Sequence, residues 1–296
     1  MSVQLRASNI RELLRLAEQM LEAHHVPNAR NNAFWMLCDL LGWKPVDVYA
    51  HHRTRLSDDL LDIYWDMIER RAGREPLQYI VGSTEFMSLP FEARPGVFIP
   101  RPETEILVEH ADRMLRAFPL HQPLSALDLC CGSGIIGVAL AHRIGNLDVT
   151  SVDVSADAVE LTALNARKND VSARVRVVQS DAFRYLEKWS EQFTAILCNP
   201  PYIESAGLAR LPREVREHEP MLALDGGADG LDFYRRVMPL LCPRLAAGGM
   251  VMFEIGDTQA DAVMELVRGA GFAKVFVIQD LSGRDRVVAG RQELNG

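Results

Sequence analysis

The first 75 residues carry hydrophobic side chains three and four positions apart in three successive stretches. These stretches run over residues 10–21, 33–41 and 60–68. Such spacing places the apolar residues on one face of an α-helix. Pro27, Gly42 and Ser57 supply breaks and caps between the stretches. We therefore predict a small all-helical domain over residues 1–75.

The pattern changes over residues 76–99. Tyr79, Ile80 and Val81 are followed by Gly82, and two phenylalanines then flank Pro90. Short runs that favour strands, interrupted by glycine and proline, predict a β-hairpin. We expect this hairpin to link the helical domain to the rest of the chain.

From residue 100 to residue 296, short apolar runs alternate with helical stretches. The apolar runs are residues 126–129, 149–152, 175–178, 194–197, 250–255 and 275–278, and the clearest helical stretches are residues 135–143 and 156–168. This alternation predicts an α/β, Rossmann-like domain whose mostly parallel sheet is covered on both faces. Ligands of such sheets bind at the carboxyl ends of the strands, near the point where strand order reverses.

A glycine-rich loop, "LDLCCGSGIIG", follows the first strand of this domain. Gly132, Gly134 and Gly137 lie where the strand turns into a helix, and glycine there lets a ligand approach the backbone. The second strand ends at Asp153, where a carboxylate can accept hydrogen bonds from both ribose hydroxyls. Together these features predict a nucleoside-binding site.

The glycines do not determine which nucleoside binds, because G-S-G-I-I-G also matches the dinucleotide-binding motif. Asp128, just before the loop, suits a ligand ammonium group, whereas it would repel a pyrophosphate. The third strand ends in Asp181, Ala182 and Phe183, which offer an acceptor for an adenine amino group and an apolar wall. These residues favour S-adenosylmethionine. The alternatives are a helix or loop cap for Asp128 and an exposed acid for Asp181.

A polar amide and two prolines directly follow the fourth strand, as Asn199, Pro200, Pro201 and Tyr202. A planar amide or amine could donate one hydrogen to the Asn199 side-chain oxygen and the other to the carbonyl of Pro200. Its nitrogen would then face the methyl donor, and Tyr202 would offer a flat face to the substrate. The prolines remove competing N–H groups. We predict that Asn199, Pro200 and Tyr202 are catalytic, and we expect no side-chain general base.

These four residues resemble the NPPY signature of methyltransferases that modify planar nitrogens, and the whole chain resembles the HemK family of protein-(glutamine-N5) methyltransferases. The resemblance is closest to the release-factor branch. It rests also on "PLQYIVGSTEF" at residues 76–86, "GVFIPRPETEILVE" at 96–109 and "EPMLALDGGADGLDFYRRV" at 219–237. It implies a seven-stranded methyltransferase domain, over residues 100–296, and a helical domain that helps hold the protein substrate. That substrate would be the glutamine of the Gly-Gly-Gln tripeptide in class I peptide chain release factors.

The resemblance also implies roles for particular residues. Contacts to S-adenosylmethionine are expected from Asp153 and from the loop residues Cys130, Cys131, Gly132, Ser133 and Gly134. We add Asp128, Asp181, Ala182, Phe183 and Asn199 to this cofactor site. Contacts to the substrate are expected from Asn199, Pro200, Pro201 and Tyr202.

Two features of the resemblance stay open. The family usually has glycine at the position of Cys130, and we interpret the Cys130–Cys131 pair as small buried filler in preference to a redox pair. The tract around Arg101, Glu103 and Glu105 fits a lip over the cofactor cleft and a helix N-terminus equally well.

Composition narrows the class of protein. The 296 residues are 48% hydrophobic and carry a net charge of −8, which argues against a protein that coats nucleic acid. The five cysteines fit neither a disulfide framework nor a zinc site. No apolar run approaches the ~18 residues of a membrane span. We expect a cytoplasmic monomer with no metal, no DNA partner and no membrane anchor.

Three rival functions share parts of this pattern. An adenine-N6 DNA methyltransferase can carry the same NPPY residues, but it would be expected to show a basic reading surface. A sister enzyme methylates a glutamine of a large-subunit ribosomal protein, and the tract at residues 211–236 favours the release-factor branch over it. A non-catalytic binding module with this fold is the third.

Overall fold

The computed structural model describes residues 7–119 and 123–293. The chain divides into two compact units. One contains the residues up to Ser83 together with Pro212–His218, and the other contains Thr84–Leu211 together with the residues from Glu219 onward.

The first unit is helical, as the sequence predicts. Its helices are α1 (Ile10–Ala23), α2 (Ala29–Leu41), α3 (Pro45–Ala50), α4 (Asp58–Ala72) and α5 (Leu77–Val81), joined by α10 (Arg213–His218) from far along the chain. Side-chain caps begin two of them, because Asn9 accepts from the amide of Glu12 and Ser57 accepts from that of Leu60. Helix α2 ends at Gly42 with φ of 62°, a left-handed conformation that glycine adopts without strain.

A buried polar network crosses the core of this helical unit. The Tyr64 hydroxyl, fully buried, donates to the carbonyl of Ala33 at 2.9 Å. Arg71 is only 4% exposed and donates to Asn32 Oδ1 at 2.7 Å and to Glu214 Oε1 at 2.8 Å. Since Glu214 belongs to α10, this ion pair ties residues 212–218 to the helices that precede them.

A β-hairpin follows the last of these helices, over β1 (Ser83–Phe86) and β2 (Leu89–Glu92). The predicted hairpin is present, but it begins at Ser83, because Leu77–Val81 forms one helical turn that ends at Gly82 with φ of 73°. Met87 makes the turn with φ of 52°, and its amide donates to Glu105 Oε1 at 2.6 Å.

The second unit contains a seven-stranded sheet. The strands are β3 (Leu124–Leu129), β4 (Leu147–Asp153), β5 (Val175–Gln179), β6 (Phe193–Cys198), β7 (Leu245–Glu254), β8 (Lys274–Gln279) and β9 (Asp285–Arg291). Their order across the sheet is β5-β4-β3-β6-β7-β9-β8. Neighbours pair in parallel from β5 to β7, and β9 is antiparallel to both β7 and β8. The six predicted strands are confirmed, and β9 is additional to them.

Helices cover both faces of this sheet. They are α6 (Thr104–Leu115), α7 (Ile135–Arg143), α8 (Ala156–Lys168), α9 (Ala182–Lys188), α11 (Asp232–Leu241) and α12 (Ala260–Gly269). Alternate residues of β6 point to opposite cores: Ala195 and Leu197 pack with α6 and α7, whereas Ile196 and Cys198 pack with α11 and α12. Burial on both faces explains why the strands read as unbroken apolar runs.

Candidate active site

The register of the central strands brings the predicted motifs to one edge of the sheet. Leu129, the last residue of β3, pairs with Val152 on one side and with Cys198 on the other. The glycine-rich loop, Asp153 and Asn199 therefore lie next to one another at this edge. This edge is also where strand order reverses, since β3 leads to β4 on one side and β6 lies on the other, which is where ligands of open α/β sheets bind.

Asp153 is fixed by the loops around it. Its Oδ2 accepts from the amide of Gly132 at 2.9 Å, and its Oδ1 accepts from the amide of Ser155 at 2.9 Å. Burial raises the pKa of this carboxyl group, and the backbone N–H groups act in the opposite direction. The carboxylate is held in one orientation, with further lone pairs available for a ligand.

Asp128 anchors helix α7 to the sheet. The residue is fully buried, and its Oδ2 accepts from the amide of Gly137 at 3.0 Å and from the hydroxyl of Ser151 at 3.4 Å. Burial raises the pKa of Asp128 to about 7. Its Oδ1 has no hydrogen-bond partner among the described residues. The capping role that was the alternative for Asp128 is thus present, and one oxygen is left over for the predicted ligand role.

The residues that follow the third parallel strand also have structural tasks. Asp181 Oδ1 caps α9 by accepting from the amide of Arg184 at 3.0 Å. Ala182 is buried. The ring centroids of Phe183 and Phe233 lie 5.2 Å apart, and the Arg236 guanidinium lies 3.8 Å from the centroid of the Phe183 ring. Phe183 therefore forms part of an aromatic wall at this edge, while one oxygen of Asp181 serves the helix.

The glycine-rich loop fits close approach by a ligand. Cys130, Gly132 and Gly134 have φ of 58°, 55° and 81°. A Cβ built on Gly132 would meet nothing within 4 Å, whereas one on Gly134 would lie 2.7 Å from Thr162. Open space beside the loop, the fixed Asp153 carboxylate and the unpaired oxygen of Asp128 together suit a nucleoside that carries a cationic group, as S-adenosylmethionine does.

The cysteines of this loop differ in environment. Cys131 is buried, and its Sγ lies 3.4 Å from Thr162 Oγ1. Cys130 is partly buried, and all five cysteines are free thiols. The left-handed φ of Cys130 is a conformation that glycine adopts with less strain than cysteine.

Asn199 leaves its acceptor oxygen free. Its Nδ2 donates to Thr104 Oγ1 at 3.2 Å. Among residues 7–119 and 123–293, none donates to Asn199 Oδ1 or to the carbonyl of Pro200. Tyr202 is held at both ends, because its hydroxyl donates to Glu254 Oε1 at 3.3 Å and its carbonyl accepts from Gln259 Nε2 at 3.0 Å. The edge therefore presents two open acceptors next to a fixed aromatic ring.

Thr104 and Glu254 complete this arrangement, and sequence reasoning missed both. Thr104 is fully buried and Glu254 is 2% exposed. Burial raises the pKa of Glu254 to about 7, and the hydroxyls of Thr104 and Tyr202 beside it act in the opposite direction. An acid that ends an apolar run, as in "MVMFE", marks the same sheet edge as Asp153, and that signal could have identified Glu254.

The tract around Arg101 forms a helix start. Helix α6 begins at Thr104 directly after Glu103, which agrees with the second of the two interpretations. Arg101 forms an ion pair with the buried carboxylate of Glu219, and Glu105 holds the hairpin turn. Within the described residues no cluster of His, Cys, Asp or Glu could hold a metal ion, and no helix there is long and apolar enough to cross a membrane.

This fold and this edge define a S-adenosylmethionine-dependent methyltransferase. Family models agree: one described as PrmC N-terminal domain matches residues 12–82, and one described as Methyltransferase small domain matches residues 89–214. A methyltransferase structure from Pyrococcus furiosus shares the fold, with a TM-score of 0.51 and 17% identity over 71% of this chain and 91% of its own.

Two curated proteins resemble the chain over nearly its full length. Release factor glutamine methyltransferase of Geobacter sulfurreducens is 41% identical over 95% of this chain and 96% of its own. The protein of the same name from Clostridium acetobutylicum is 32% identical over 93% of this chain and 98% of its own. The chain belongs to the release factor glutamine methyltransferase family.

Proposed function

We propose that the protein transfers a methyl group from S-adenosylmethionine to the side-chain amide nitrogen of the glutamine in the Gly-Gly-Gln tripeptide of class I peptide chain release factors. The observation that carries this proposal is the pair of open acceptors, Asn199 Oδ1 and the carbonyl of Pro200, at the edge that holds the glycine-rich loop. A primary amide has two hydrogens to donate. The two acceptors match it, and the family's name supplies the protein that carries it.

The cofactor would be held by residues at the carboxyl ends of β3, β4 and β5. Asp153 would accept the ribose hydroxyls, and Asp128 would face the ammonium group through its unpaired oxygen. Loop residues 130–134 and the segment 181–183 would line the remainder. When bound, S-adenosylmethionine supplies an electrophilic methyl group on a positively charged sulfur.

The chain's own residues would orient the nucleophile. An amide nitrogen is a weak nucleophile because its lone pair is delocalised into the carbonyl. Asn199 and Pro200 would fix both N–H bonds and raise electron density on nitrogen, so that orientation supplies much of the rate. Tyr202 would support the flat amide with its ring. No side-chain base is required, since the methylated nitrogen is strongly acidic and can lose its proton to a carbonyl group or to water.

The setting of the enzyme follows from this substrate. We propose that the protein acts as a monomer in the cytoplasm, where peptide release takes place, and that DNA is not a partner. The five free thiols agree with a reducing compartment. Size-exclusion chromatography with light scattering tests the monomer directly, and a stable dimer would contradict it.

Transfer of labelled methyl to defined acceptors tests the proposed function. The acceptors are a class I release factor, its Gln-to-Ala variant at Gly-Gly-Gln, a large-subunit ribosomal protein and duplex DNA. We expect label on the release factor and none on its variant. Label on the ribosomal protein or on DNA, with the release factor unlabelled, would overturn the proposal.

A further inference from the structure

Two side-chain hydrogen bonds lie behind the acceptor oxygen of Asn199. Asn199 Nδ2 donates to Thr104 Oγ1 at 3.2 Å, and the Tyr202 hydroxyl donates to Glu254 Oε1 at 3.3 Å. Thr104 and Glu254 are both buried. Burial raises the pKa of Glu254, and the Thr104 hydroxyl lies near enough to this carboxyl group to lower its pKa in part. Glu254 Oε2 has no hydrogen-bond partner among the described residues. A buried carboxylate with a vacant oxygen is costly unless it accepts further hydrogen bonds.

The acceptor to which the Thr104 hydroxyl donates decides which atom of Asn199 faces the substrate. An amide side chain can present either its oxygen or its NH₂ group to a hydroxyl. If the Thr104 hydroxyl donated to Asn199 Oδ1, the NH₂ group would face the substrate NH₂, and two donors would oppose each other. If the hydroxyl donates to a carboxylate instead, only an N–H can face Thr104, and Oδ1 is turned to the substrate.

We propose that Thr104 and Glu254 are positioning residues that lock the Asn199 amide in its acceptor-forward orientation. The ionised Glu254 carboxylate has no hydrogen to donate, so it accepts from the Thr104 hydroxyl, and the Thr104 oxygen then accepts from the N–H of Asn199. The same carboxylate takes the Tyr202 hydroxyl, so one buried group fixes both the acceptor and the supporting ring. The inference rests on the proposed function, and it gives the threonine of the "RPETE" motif a task.

A pair of substitutions at Thr104 tests this positioning role. Thr104→Val keeps the shape and removes the hydroxyl, whereas Thr104→Ser keeps the hydroxyl. We expect T104V to lower kcat by about 10- to 100-fold, the range for a lost hydrogen bond to a charged network, with the KM for release factor and the Kd for S-adenosylmethionine within about twofold. T104S should retain kcat within about threefold. Wild-type kcat in T104V would overturn the inference.

A double-mutant cycle separates positioning from general structural damage. If Thr104 acts only through Asn199, T104V should have no further effect on kcat in an Asn199→Ala background, because residues that act as a unit are non-additive. If the two losses of kcat multiplied in the double variant, the positioning role of Thr104 would be contradicted.

The free protein offers a readout that does not depend on catalysis. The side-chain ¹⁵NH₂ resonance of Asn199, assigned by its disappearance in N199A, should shift in T104V and in Glu254→Gln and stay in place in T104S. If this resonance did not shift in T104V or in E254Q, the positioning role of Thr104 and Glu254 would be overturned. If wild-type protein failed to methylate release factor while the resonance moved as expected, the proposed function alone would fail, so the two failures are distinguishable.

Discussion

At the scale of single residues, we propose that Asn199 orients the substrate and that Asp153 holds the cofactor. Within the part of the chain that the structure describes, no group donates to the Asn199 side-chain oxygen, and Asp153 keeps a fixed carboxylate next to the loop amides. Asp153 ends β4 and Asn199 directly follows β6, and both strands pair with β3. The two residues therefore share an edge although 46 positions separate them in the sequence. This division predicts that each can be damaged without the other.

Asn199→Ala should lower kcat by about 100-fold or more, because the substrate amide loses one of its two orienting acceptors. The Kd for S-adenosylmethionine should stay within about threefold of wild type. Single-turnover kinetics and calorimetric titration of the cofactor measure the two quantities. Asp153→Ala is the matched control, with cofactor binding weakened about 10- to 100-fold through lost ribose hydrogen bonds. Equal kcat in N199A and wild type would contradict the role of Asn199.

Cys130→Gly should stabilise the protein by about 1 kcal/mol, because Cys130 has φ of 58° and an L-residue in that region is strained by about 1 to 2 kcal/mol. Urea unfolding measures the change. Cys130→Ala removes the thiol but keeps the strained backbone, and it should give no such gain. A stabilisation shared by both variants would assign the effect to the thiol instead.

At the scale of elements, close packing of helix α7 on the sheet determines the geometry of the loop. Gly137 lies where α7 meets the sheet, and its amide reaches Asp128. A Cβ there would lie 2.7 Å from Ser151 Oγ and 3.0 Å from Asp128 Oδ2. These atoms are buried side chains, so they have little room to move.

Gly137→Ala should therefore destabilise the protein by about 1 to 3 kcal/mol through overpacking and should weaken cofactor binding, because α7 carries the end of the loop. Thermal unfolding and cofactor titration measure both effects. Gly269→Ala in helix α12 is the control, since a Cβ there meets nothing within 4 Å and alanine favours helices by up to about 1 kcal/mol. Equal stability changes in the two variants would contradict the packing argument.

The sequence predicts an element well when its packing determines which neighbouring residues are apolar. The parallel strands were found because both faces are buried, which leaves apolar runs such as residues 194–197. Strand β9 was missed because "DRVVAGR" has only three consecutive apolar residues between charged and glycine positions. The sequence predicts a strand over residues 77–81 because Tyr, Ile and Val favour strands, but these residues form a helical turn that ends at Gly82.

The site shows the same boundary between local and long-range information. Asn199, Pro200 and Tyr202 stand in one short motif, so their placement could be argued from the sequence. The contacts from Thr104 to Asn199 and from Tyr202 to Glu254 span 95 and 52 positions. The periodicity of hydrophobic residues does not predict contacts between residues so far apart in the sequence. These side chains come together only at the edge of the folded sheet.

At the scale of the whole molecule, the stability of the fold is linked to the state of its buried acids. Burial raises the pKa of Glu254 from 4.5 to about 7. The folded state therefore holds a proton that the unfolded chain has released between those two values. The stability that the protonated group contributes is fully present below about pH 4.5 and is lost as pH rises through about 7.

Comparison with Glu254→Gln isolates this linkage. The free energy of unfolding of wild type, relative to E254Q, should fall by roughly 3 kcal/mol between pH 4 and pH 8, from a pKa difference of about 2.5. Urea denaturation across that range measures it, with the Gln variant removing the titration of this group only. A difference that stays constant, or that rises with pH, would contradict the burial argument.

Peptide mass mapping of a class I release factor, after incubation with S-adenosylmethionine and the enzyme, tests the proposed methyl transfer. We predict a single added methyl group, placed by fragmentation on the side-chain nitrogen of the Gly-Gly-Gln glutamine, present with wild type and reduced at least about 100-fold in rate with N199A. A methyl group on another residue, or an equal rate with N199A, would contradict the account.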